Sequence, residues 1–197
     1  WTLQDQHGKR YEGRVVVAAT GVLHHPNYPQ IQGLEDFEGD VIHSARWDHS
    51  VPLEGKKIAV IGTGSTGVQI VSALAERSKV RHFQRTAQWI FPVENPTFSE
   101  EQRAEFRSNR DLLVYLQREP TYLANVERFT QGVLDPDSEQ IQEIQKLCQE
   151  NLDNSVADPA LRKKLQPNYR AGCKRLIYSP DYYKAIQQPH SELVTEG

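Results

Sequence analysis

The chain has 197 residues, 38% hydrophobic and 25% charged, with 23 Lys and Arg against 26 Asp and Glu for a net charge of −3. This is ordinary globular composition, which excludes a disordered or low-complexity chain, and without a basic excess nucleic acid is not an expected partner. The longest apolar runs, residues 15–19 and 112–116, fall far short of the ~20 residues a spanning helix needs, so no membrane span is expected.

The chain opens on Trp1 and contains no methionine, so it reads as an internal segment of a longer protein. Residues 1–3 and 14–18 have strand character, with turn residues Asp5, His7 and Gly8 between them. Residues 24–40 carry Pro26, Pro29, Gly33 and Gly39 without periodicity and form a connector; His24 and His25 lie in it and are assigned no metal. Residues 56–61 are an apolar strand bounded by glycines. Residues 65–76 follow with apolar side chains at helical spacing, and residues 80–84 form the next strand. Strand, glycine-rich turn, helix and strand make half of a mononucleotide-binding unit.

From residue 92 to about 165 the composition shifts to Glu, Gln, Arg and Leu. Ser99 with Gln102 opens a helix as a capping box, and Phe106, Leu113 and Leu116 continue its face to a stop near Pro120. Tyr122, Val126, Phe129 and Val133 form a second stripe, and Ile141, Ile144, Cys148 and Leu152 a third; Asp158-Pro159 opens a short fourth helix. Cys148 and Cys173 fit no zinc spacing and no CxxC motif, so no metal is expected and a reducing cytoplasm is indicated. A loop at 172–178, a helix opened by Ser179-Pro180 and a strand near 193–195 close the chain. The fold class is α/β: a Rossmann-like parallel sheet with flanking helices and an inserted helical block. Trp1 and Trp89 are expected to pack rather than to line a site.

Residues Gly62, Thr63, Gly64, Ser65, Thr66 and Gly67 read GxGxxG, leaving an apolar strand and opening a helix. In that setting the first glycine permits the tight turn, the second lets the backbone approach a pyrophosphate, and the third lets helix and strand pack closely. The helix N-terminus then offers free N–H groups to phosphates. Gln69, in the same helix, joins these as an expected cofactor contact. A glycine-rich turn of another α/β protein is the competing reading. At the end of the second strand, where an NAD site carries a carboxylate for the ribose, this chain has Arg85 followed by Thr86. A guanidinium grips a phosphate with parallel hydrogen bonds, so NADP is the expected dinucleotide, against a plain surface arginine.

Phe37, Gly39, His43, Trp47 and Asp48 read FxGxxxHxxxWD. This resembles the fingerprint of type I Baeyer–Villiger monooxygenases, which lies just before their NADPH-binding glycine turn, as here. Ala19-Thr20-Gly21 resembles the segment closing the first part of that family's FAD domain, residues 83–89 its 2′-phosphate loop, and Gly172-Cys173-Lys174-Arg175 the loop after its helical insertion. The resemblance implies that residues 1–45 end an FAD-binding domain and carry the linker with the fingerprint. Residues 46–91 begin the NADP-binding domain, 92–165 are its helical insertion and 166–197 continue it.

It further implies that Arg85, Thr86 and Lys174 meet the NADP 2′-phosphate, that Arg175 is catalytic, and that His43 and Trp47 fix the connector between domains. The implied reaction is oxidation of a ketone to an ester or lactone with O2, using NADPH and FAD. The family's N-terminal glycine motif for FAD lies outside this chain, so the flavin site and the remaining FAD-domain segments are expected mostly elsewhere in the protein. Two alternatives stand beside this reading: an N- or S-oxygenating flavin monooxygenase, against which Trp47-Asp48 and Lys174-Arg175 argue, and a non-catalytic NADP-binding module.

Overall fold

The computed structural model describes residues 1–196 apart from 22, 24 and 119, with the backbone alone for 117 and 120–125. His24 and the side chain of Tyr122 therefore lie outside the described residues. Residues Trp1–Val51 and Pro52–Gly197 form separate compact units.

In the first unit, β1 (Thr2–Gln4) and β2 (Arg10–Glu12) pair antiparallel, with Leu3 opposite Tyr11. The Asp5 carboxylate accepts the N–H groups of His7 and Lys9 at 2.9 and 3.0 Å and so shapes the turn between them. The strand expected at residues 14–18 is absent. No further strand of this unit, among the described residues, offers it a ladder, and Val15 and Val17 stand 78% and 83% exposed. Trp1 likewise does not pack: it is exposed, because no described residue of this unit is buried and there is no core to receive it. Short 3-10 turns at Leu34–Asp36 and Ser44–Arg46 follow.

The second unit begins with β3 (Lys57–Ile61), α1 (Ser65–Leu74) and β4 (Lys79–Phe83). After β5 (Ile90–Phe91) come α2 (Glu100–Ser108), α3 (Arg110–Gln117), α4 (Pro120–Leu134), α5 (Glu139–Ser155) and α6 (Pro159–Leu165). β6 (Ile177–Tyr178), α7 (Tyr182–Ile186) and β7 (Ser191–Val194) complete the chain. β3, β4 and β7 form one parallel sheet in that order, and β5 and β6 pair parallel in a second. This is the expected α/β class, with a helical block between β5 and β6.

Local chemistry explains most boundaries. Ser99 and Gln102 make the full capping box that opens α2. The single helix expected from Ser99 to Pro120 is two, however. Asn109, at φ −116° and ψ 89°, interrupts it, and its side-chain oxygen accepts the Leu112 N–H at 3.0 Å to start α3. Pro120 does not only end a helix; it is the first residue of α4, where its missing N–H costs nothing. Asp158 caps α6, and Ser179 Oγ accepts the Tyr182 N–H at the start of α7.

Two cores result. Val60 of β3, Val68, Val71 and Leu74 of α1, Val80 of β4 and Leu193 of β7 pack with Tyr182, Tyr183 and Ile186 of α7. The second joins Trp89 to Ile141, Ile144 and Cys148 of α5, and to Ala171 and Leu176 on either side of the 172–175 loop. Trp89 is buried, as expected, and donates its indole N–H to the Tyr169 carbonyl at 2.7 Å. Burial without a charged partner pushes the Cys148 thiol up to about 12. Both cysteines are free, with Cys173 exposed.

Candidate functional site

The turn between β3 and α1 follows from its three glycines. Gly62 has φ 106°, a conformation that side chains rarely adopt. At Gly67 a Cβ would overlap the carbonyl oxygen of Gly62, so helix and turn meet with no room for a methyl group. Gly64 differs: it has φ −70°, and a Cβ there would meet nothing within 4 Å. Nothing inside the protein requires a glycine at 64. Replacing Gly67 by alanine should therefore destabilise the fold by about 1–3 kcal/mol, the scale of overpacking in a tight contact, and a thermal melt checks it.

Gly64 is the N-cap of α1 and provides no side-chain cap, and the first turn of the helix carries no acidic residue. The N–H groups there and the positive end of the helix dipole are left for an anion. Ser65 is half-buried, and Thr66 and Gln69 are exposed along the same helix. Thr63 is buried, and its hydroxyl donates to the Thr86 carbonyl at 2.8 Å. The glycine turn is thereby tied to the loop after β4 that carries Arg85 and Thr86. Arg85 is exposed and, among the described residues, makes no ion pair; Thr86 is half-buried.

Lys174 reaches the same loop by another route. Its ammonium lies over the Tyr169 ring, 4.7 Å from the centroid. The Tyr169 hydroxyl hydrogen-bonds the Ala87 carbonyl and the Gln88 side-chain oxygen at 3.0 and 2.8 Å. Arg175, the next residue, is exposed and makes no ion pair among the described residues. Contacts thus tie Thr63 to Thr86, the neighbour of Arg85, and link Lys174 through Tyr169 to Ala87 and Gln88 further along the same loop, whereas Arg175 makes no such contact among the described residues.

The fingerprint residues lie in the first unit, and each makes local contacts. The Phe37 ring covers Gly39, where a Cβ would come within 2.6 Å of it. His43 Nδ1 accepts the Ala45 N–H at 3.1 Å and so caps the 3-10 turn, and its ring meets Tyr28 edge to face. Trp47 is half-buried at the end of that turn. Asp48 accepts the backbone N–H and the hydroxyl of Ser50 at 2.8 and 2.6 Å, which holds its carboxyl below the usual range. No group of three metal-ligating side chains occurs among the described residues.

Sequence spacing gives no sign of three further residues. His82 of β4 is fully buried, with Nε2 2.9 Å from the Gly62 carbonyl oxygen and Nδ1 3.0 Å from the Tyr182 hydroxyl. Burial lowers its basicity, offset in part by the Gly62 carbonyl. Tyr169 and Tyr182 are tied to the turn and its neighbouring loop only through the tertiary fold.

A parallel β–α–β unit with a glycine turn at the helix N-terminus defines a Rossmann-type α/β protein. The chain belongs to the pyridine nucleotide-disulphide oxidoreductase family, whose pattern matches residues 2–114. It is 46% identical over 200 residues to an uncharacterized monooxygenase of Mycobacterium tuberculosis, covering all of this chain and 39% of that protein. A Baeyer-Villiger monooxygenase of Pseudomonas aeruginosa is 36% identical over 198 residues, covering all of this chain and 37% of its own length. The solved cyclohexanone monooxygenase from Rhodococcus sp. Phi1 bound to NADP+ superimposes with a TM-score of 0.73 at 26% identity, over 98% of this chain and 42% of that one. The resemblance read from residues 37–48 agrees with these relatives. The chain spans about two fifths of the curated relatives it matches.

Proposed function

We propose that this chain is the NADPH-binding portion of an FAD-dependent monooxygenase that converts ketones to esters or lactones with O2. The observation that carries it is the hydrogen bond from Thr63 to the Thr86 carbonyl, which joins a glycine turn suited to pyrophosphate to a loop bearing Arg85 and Thr86. The residues present fit an NADP: an uncapped helix N-terminus and open space over Gly64, cationic Arg85 on the loop after β4, and Lys174 linked to that loop through Tyr169. The open space has a plain reading, since a glycine that the protein itself does not need leaves room for a ligand.

Ser65, Thr66 and the backbone of residues 62–67 would hold the pyrophosphate, with Gln69 beside them; Arg85, Thr86 and Lys174 would hold the 2′-phosphate. When bound, NADPH supplies hydride and FAD the oxygen chemistry. Arg175, on the loop next to Lys174, would supply a permanent positive charge to stabilise the negative charge that develops during oxygen transfer. The remaining FAD-domain segments of the same protein complete the flavin site. His43 and Trp47 give the linker a fixed local shape. Unpaired Cys148 and Cys173 suit a reducing cytoplasm, and no helix of the described residues is long and apolar enough to cross a membrane.

Gly64→Ala tests the reading. Alanine fits the backbone angles, so stability should change by no more than about 1 kcal/mol. Affinity for NADPH and NADH should fall by more than about tenfold in a fluorescence titration, because the methyl group stands where the pyrophosphate approaches. Wild-type affinity in that variant would remove the turn from cofactor binding.

A further inference from the structure

His82 occupies a buried position at the middle of the sheet, in register with Val60 on β3 and Leu193 on β7. None of its surface is exposed. An imidazole is costly there unless both ring nitrogens find partners. Both do. The Gly62 carbonyl can only accept, so Nε2 carries the hydrogen and donates at 2.9 Å. In the neutral ring Nδ1 then accepts, and the Tyr182 hydroxyl donates to it at 3.0 Å. The two rings meet edge to face, with centroids 5.7 Å apart. Gly62 also donates its N–H to the Phe83 carbonyl at 3.2 Å. Consecutive residues of β4 thus grip both polar groups of the first glycine. An apolar residue at 82 would satisfy the strand and the core but leave the carbonyl without this donor.

We propose that His82 is a positioning residue for the dinucleotide: it fixes the Gly62 carbonyl from beneath, with Tyr182 holding the ring, and so sets the backbone path that receives the pyrophosphate. This inference rests on the proposed cofactor role of the glycine turn. Its effect falls on the part common to NADPH and NADH, unlike that of Arg85, which concerns the 2′-phosphate alone.

The test is a titration of the folded full chain with NADPH and with NADH, for His82→Val, His82→Gln and Gly64→Ala, with a thermal melt of each. His82→Val should weaken both dinucleotides about tenfold and by the same factor, the scale of one buried hydrogen bond lost. His82→Gln, which keeps an amide N–H for the carbonyl, should recover most of that loss. A folding defect alone would lower the melting temperature without this matched loss and recovery. If His82→Val binds as wild type while Gly64→Ala does not, this inference falls and the cofactor reading stands. If both bind as wild type, the cofactor reading falls and takes this inference with it. A loss confined to NADPH also overturns the inference. Should His82→Val fail to fold, Tyr182→Phe carries the test, since it keeps the ring and removes the hydroxyl. A matched loss of about threefold supports the positioning role, and wild-type affinity overturns it.

Discussion

If the chain serves the proposed ketone-oxidising monooxygenase, Arg175→Ala in the full-length protein should lower ester formation about a hundredfold, the scale of removing one preorganised stabiliser of developing negative charge, while dinucleotide affinity stays near wild type. This expected division of labour between neighbouring cations rests on the geometry of the loop. Lys174 is drawn over the Tyr169 ring and so toward Ala87 and Gln88. Arg175 has no such partner among the described residues. The loop is anchored on both sides, by Ala171 and Leu176 in the second core, so the backbone cannot simply turn to bring Arg175 into the place of Lys174. A guanidinium also keeps its charge at any working pH, which suits it to stabilise an anion rather than to give up a proton. Product formation from a cyclic ketone, set beside an NADPH titration of the same variant, checks the expectation. Wild-type product formation would reduce Arg175 to a surface charge.

Arg85→Ala should weaken NADPH by ten- to a hundredfold, roughly the 1.5–3 kcal/mol of a charge-assisted hydrogen bond, and NADH hardly at all. Arg85 is exposed, so screening places the expected loss nearer the lower figure and makes it smaller at high salt. The selectivity, rather than the size, carries the argument. NADH has no 2′-phosphate, and an arginine that served only the local fold would affect both dinucleotides alike. Equal losses in paired titrations would therefore defeat the assignment.

How far this could be read from the sequence depends on the range over which each signal acts. The α5 stripe of Ile141, Ile144, Cys148 and Leu152 is legible because all four positions fall on one helical face, and all four are buried. The capping box at Ser99 and the cap at Asp158 are equally local, and both are present. The break at Asn109 is less visible, since apolar spacing continues on both sides of it and only one side-chain oxygen decides the matter. Residues 14–18 mislead for a different reason: strand composition calls for a strand only where another strand is available to pair with it. At the site, the glycine turn and Arg85 are contiguous motifs and can be found by spacing. His82 cannot. A single histidine in a strand has no period, and the tyrosine that gives it meaning lies a hundred residues further along the chain.

The placement of the helical block has a consequence for how the chain assembles. β3 meets β4 after a short crossover, with Lys57 beside Lys79, whereas β4 meets β7 only after more than a hundred residues, with Val80 beside Ser191. By the logarithmic dependence of ring closure on length, the second closure costs roughly 1.4 kcal/mol more entropy than the first. Low contact order favours the parallel strand–helix–strand unit as the early, fast-forming nucleus, and the third strand as the late arrival. The glycine turn belongs to the nucleus, but Tyr182 arrives with the latecomer. The glycine turn can therefore take its course early, and gains its support from Tyr182 only when the last helix docks.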